Sequence, residues 1–156
     1  MVQNNPKKLK EKVDLMERCY YKGFANSVLI ILCKCENYLT EPDINLKANV
    51  LKKLAVMEPL YDKIPFKDLE ADNDFVPLLV IRDLFEVYAR LTRSFLNDPQ
   101  EEKFRDLNQL RCCILDYGEV YRRNIDRTLD ELRQYPEYSN YNFTITNHQW
   151  NQFKVI

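Results

Sequence analysis

An all-α domain is the fold class this sequence predicts, and three observations predict it. Only 2 of its 156 residues are Gly, too few to supply the φ > 0 positions that tight hairpin turns demand. Apolar residues recur at gaps of three and four over long stretches, the period of a helix face rather than a strand's alternation. Prolines stand where those stripes start and stop, at Asn5-Pro6, Glu41-Pro42, Glu58-Pro59, Asp98-Pro99 and Tyr135-Pro136. The expected architecture is an up-down bundle of four main helices, ~6–39, ~43–57, ~75–97 and ~99–134. They form one domain over residues 1–134, followed by an aromatic-rich tail over 135–156.

Asn5-Pro6 opens the first helix. From there Leu9, Val13, Met16, Tyr20, Phe24, Val28, Ile31, Cys35 and Tyr38 hold one stripe. It passes through Gly23, where a bend or break remains open. Pro42 cannot continue that helix, and Asp43 can cap the next. Leu46, Val50, Leu54 and Met57 then mark a short amphipathic helix ending near Glu58-Pro59.

Between Glu58 and Asp74 lies an acidic connector, with six carboxylates against Lys63 and Lys67. It lacks the alternating Asp/Asn positions, central Gly and closing Glu of a calcium-binding loop.

Phe75 to Leu96 is the most apolar run, and Val76, Val80, Leu84, Val87, Leu91 and Phe95 make its main stripe. Leu78, Leu79, Ile81 and Phe85 lie off that stripe, so the first half is expected to be covered on several sides. Arg82, Glu86, Arg90, Arg93 and Asn97 form its polar face. Pro77 falls in the first turn, after the candidate caps Asp72, Asn73 and Asp74, where its missing N–H costs little.

Asp98-Pro99-Gln100-Glu101 predicts a second sharp start, with Asp98 as N-cap, Pro99 in the first helical position and Glu101 completing a capping box. The stripe Phe104, Leu107, Leu110, Ile114, Tyr117, Tyr121, Ile125, Leu129 and Leu132 follows. So short a connection folds this helix back along its predecessor as an αα-hairpin. Beyond Pro136 the period is lost, and Tyr141, Phe143 and Ile145 with Trp150, Phe153 and Val155 could form a small β-hairpin across Asn147-His148. That tail is expected to pack on the bundle or on a partner.

With 23 basic and 24 acidic side chains the net charge is −1, which argues against a general polyanion binder. No stretch approaches the ~20 apolar residues of a membrane span. The N-terminus has no apolar signal core, and the five cysteines fall in helical patterns, so a soluble intracellular protein without disulfides is expected.

The catalytic inventory is bare. His148, the sole histidine, lies in the tail without a patterned partner, and no Cys spacing builds a zinc site. No catalytic, metal-binding or cofactor-binding residue is nominated.

Two readings of function follow. The first is a protein–protein interaction module, an adaptor or assembly subunit. Helices of such unequal length leave Met16, Tyr20, Tyr21 and Phe24, and Tyr117, Tyr121 and Ile125, under-covered. These residues are expected to contact a partner in a homodimer or heteromeric complex, with Trp150 and Phe153 contributing from the tail. The second is a nucleic-acid-associated domain using Lys7, Lys8, Lys10 and Lys12 with Arg90 and Arg93.

Overall fold

A computed structural model of the chain describes residues 5–19, 23–62 and 64–142, with only the backbone at 23–25 and 60–62. Six α-helices account for most of these residues: α1 (Pro6–Cys19), α2 (Gly23–Thr40), α3 (Ile44–Asp62), α4 (Phe66–Leu69), α5 (Val76–Asn97) and α6 (Glu101–Arg133). Among the described residues there is no strand, and the expected hairpin around Asn147-His148 lies outside them.

The first stripe is carried by α1 and α2, with residues 20–22 outside the described part. Its described side chains, Leu9, Val13, Met16, Val28, Ile31, Cys35 and Tyr38, are all buried. α1 opens on Asn5, whose side-chain oxygen accepts from the Lys7 N–H at 2.9 Å, meeting one of the free donors of a helix start.

α3 runs past its expected end, continuing through Pro59 to Asp62. The ring deletes one N–H only three residues from the helix end, and buried Leu54 and Met57 anchor the preceding turn. One lost hydrogen bond there is outweighed by that burial. The single turn α4 was not legible, because four residues carry no period.

The α5/α6 hairpin forms as expected, but Asp98 does not start α6. Its N–H donates to the Ser94 carbonyl at 3.0 Å, closing α5. Gln100 is the residue that flanks α6, without a side-chain cap bond. A chain reversing between antiparallel helices needs residues outside both. Asp98 spends its carboxylate within that turn, accepting from Gln100 Nε2 at 2.9 Å and pairing with Lys103 at 3.5 Å.

α6 is the spine, packing against α5, α2 and α1. At 33 residues it is about 50 Å long, more than one core can cover, and three apolar clusters follow it in series. The largest joins α2, α3, α5 and α6 around Ile31, Leu54, Phe85, Tyr88 and Phe95. The second gathers Met16, Cys19, Leu69, Phe75, Leu78, Tyr121 and Ile125. The third sets Leu9 and Val13 against Leu129 and Leu132, with Tyr135, Tyr138 and Tyr141 packed on it.

α5 is rotated from its expected orientation. Leu78, Ile81, Phe85, Tyr88 and Phe95 are buried, whereas Val76 and Val87 are each 41% exposed and Val80, Leu84 and Leu91 are half-buried. Burying the Phe85 and Tyr88 rings removes more apolar area than burying Val76 and Val87. Tyr88 also gains a partner, donating its hydroxyl to the Val28 carbonyl at 2.9 Å.

Candidate interaction surface

The residues expected to form a partner-binding patch divide sharply. Met16, Tyr121 and Ile125 are buried together in the second cluster, and Tyr121 Oη donates to the Met16 carbonyl at 3.0 Å. The gap expected over them is closed by Leu69 from the acidic connector and by Phe75, the residue that follows it. The Phe75 and Tyr121 rings lie 6.3 Å apart. The acidic connector thus carries an apolar anchor in Leu69, and Met16, Tyr121 and Ile125 are core rather than surface. Tyr117 differs, being 40% exposed. Tyr20, Tyr21, Trp150, Phe153 and the Phe24 side chain lie outside the described residues.

An ionic clasp holds the connector over this cluster. Lys12 on α1 pairs with Asp74 at 2.6 Å and Asp72 at 3.0 Å, and Arg127 on α6 pairs with Asp74 as well. Asn124 donates to the Asp74 carbonyl at 3.2 Å. The turn presents its carboxylates because Asp72 caps it, its side chain accepting from the Asp74 N–H at 3.0 Å. Burial raises the Asp74 pKa, but hydrogen bonds and charge from Lys12 and Arg127 outweigh it and hold the carboxyl below its ordinary value. For Lys12 burial works downward, and the two aspartates raise the amine above its ordinary value.

The same contacts decide where the candidate phosphate-binding residues stand. Lys10 pairs with Asp14 at 3.0 Å and lies over the Tyr141 ring, while Arg93 reaches across to Glu58 on α3. With Lys12 also engaged, Lys7, Lys8 and Arg90 are the exposed members. Arg90 lies 14 residues beyond Val76, about 21 Å along α5 from the clasp, so no continuous basic face assembles. Arg82 bonds Asp83 at 3.0 Å and stacks 4.8 Å from the Phe66 ring centroid.

Beyond the clasp, Cys19, Cys35 and Lys53 carry shifted pKa values, the usual pointers to a reactive site, and all three lie in the core. Burial raises the Cys19 thiol to about 11 and the Cys35 thiol to about 12. Lys53 is buried on α3, and desolvation, then the Lys34 charge, lower its amine. Cys33, Cys112 and Cys113 are exposed free thiols. Among the described residues no three His, Cys, Asp or Glu side chains converge as a metal site. A hollow between α2 and α6, lined by Asn26, Leu29, Arg111 and Leu115, holds about 60 Å³, well below the ~300 Å³ of an ordinary ligand pocket. No helix among the described residues is long and apolar enough to cross a membrane.

What stands open is an apolar strip. The rotation of α5 leaves Val76 and Val87 exposed and Val80 half-buried on the outer flank of the hairpin, and α6 presents exposed Cys113, Tyr117 and Val120 at comparable heights. Sequence reading found the α5 half of this strip but assigned it to the core. No family model matches this chain. No curated protein and no solved structure matches it either.

Proposed function

We propose that this chain is a non-catalytic protein–protein interaction module, an adaptor or assembly subunit of an intracellular complex, built as an up-down helical bundle. The observation that carries this reading is the strip of valines and Tyr117 left on the outer α5/α6 flank. A chain that buries Phe85, Tyr88 and Phe95 elsewhere on α5 has no internal use for a second apolar face of that length. Such faces, rimmed by charge, serve as partner sites in soluble domains. The nucleic-acid reading is the weaker one, since Lys10, Lys12 and Arg93 are already paired with carboxylates.

The tagged full-length chain, recovered from native lysate at moderate salt, is expected to bring down a protein at stoichiometric level. V120E should release it while far-UV circular dichroism stays unchanged. Recovery of neither a heterologous partner nor a second copy would overturn the proposal.

A further inference from the structure

The strip has a charge pattern that selects an occupant. On α6, Asp116 and Arg123 are both exposed and stand seven residues apart, about two helical turns, in the row just outside Tyr117 and Val120. Neither has an ion-pair partner among the described residues, although Arg122 and Arg127 beside Arg123 are engaged by Glu17, Asp126 and Asp74. An acid and an arginine spaced this way on one exposed row are self-complementary. Laid antiparallel on a second α6, with a two-fold axis crossing midway between them, Asp116 of each copy meets Arg123 of the other.

The axis falls where the apolar residues are. Its crossing point, between Glu119 and Val120, is about 28 Å from the start of α6 at 1.5 Å per residue. Measured from the same hairpin turn, Tyr117 and Val120 on α6 and Val76 and Val80 on α5 lie at about 24–32 Å. Val76, Tyr117 and Val120 are 38–41% exposed, and Val80 is half-buried. A two-fold axis at that height stacks this apolar cluster on its own copy and flanks it with two Asp–Arg pairs. An apolar centre with a charged rim is the anatomy of an isologous interface.

We infer that the outer α5/α6 face binds a second copy of this chain, forming a two-fold dimer centred on Tyr117 and Val120 and keyed by reciprocal Asp116–Arg123 pairs. This rests on the interaction-module reading and names its partner. It also places the dimer contact away from Met16, Tyr121 and Ile125, which the chain covers itself.

Sedimentation velocity of the full chain at high micromolar concentration is expected to give about twice the 18.8 kDa protomer mass. V120E should give the protomer mass with unchanged helix content. D116R and R123D should each weaken dimerisation at least about tenfold, and the double variant D116R/R123D should return to within about threefold of the original, because the reciprocal pairs are restored with reversed sign. Rescue is the readout that a general loss of folding or solubility would not produce. A monomeric wild-type chain, a dimer that survives V120E, or a double variant no better than either single one overturns the inference. A monomer that nevertheless recovers a heterologous partner stoichiometrically, and loses it on V120E, ends the two-fold dimer and leaves the interaction module standing; a monomer with no partner ends both.

Discussion

Tyr121 on α6 donates its hydroxyl to the main-chain carbonyl of Met16 on α1, 3.0 Å away inside the chain's own core. Both side chains are fully buried. The phenol makes this bond to the α1 main chain while its ring fills space beside Phe75.

Removing that hydroxyl deletes a buried hydrogen bond. Y121F is expected to lose about 1–2 kcal/mol, lowering Tm by about 3–6 °C for a domain of this size. Urea unfolding with an unchanged m-value checks it. A variant as stable as the parent would mean the bond contributes nothing.

The clasp at Asp74 responds to pH at the extremes. A carboxyl held below its unfolded value of 3.8 contributes stability that is present above that value and lost as pH falls through the folded pKa. Lys12, raised above 10.5, contributes stability present below that value and lost as pH rises through its folded pKa. Between about pH 5 and 9 the clasp's contribution is therefore flat. D74N should cost about 1–2 kcal/mol at pH 7 and should weaken acid unfolding as a function of pH. Parallel pH–stability curves for parent and variant below pH 4 would contradict this.

The rotation of α5 is open to a paired test. Phe85 is buried and Val87 is 41% exposed, so F85A is expected to cost about 3–5 kcal/mol and V87A to change stability by no more than about 0.5 kcal/mol. Thermal melts at a concentration where the chain is monomeric separate the two. Comparable losses would restore the valine stripe to the core.

Thiol chemistry should sort the five cysteines by burial. Cys33, Cys112 and Cys113 are exposed, whereas Cys19 and Cys35 are buried with thiols raised to about 11 and about 12. An aromatic disulfide reagent at pH 8 is expected to titrate three thiols quickly and the other two only on unfolding, since the thiolate is the reactive form. Five fast equivalents would show that the clusters around Met16 and Ile31 open readily.

Much of this fold was legible residue by residue. The stripe of α6 from Leu107 to Leu132, the ends of α5 and the reversal at Asp98-Pro99 all follow from local signals: the 3.6-residue period, Pro placement and the shortage of Gly. The one exception along the α6 stripe, Tyr117, marks the candidate surface, and nothing local distinguishes it from Tyr121 four residues later.

What the sequence by itself determined was the helical class and the positions of α5 and α6. Only the tertiary structure decided which way α5 faces, what covers Met16 and Tyr121, and which charges remain unengaged. The reason is physical. Helical periodicity reports the faces a segment could bury, and α5 carries two. Choosing between them depends on ring area, on a carbonyl at Val28 waiting for the Tyr88 hydroxyl, and on Leu69 arriving from a connector with no period of its own. Those partners are distant in sequence, and Asp74 meets Lys12 and Arg127 only after α1, α6 and the connector have packed.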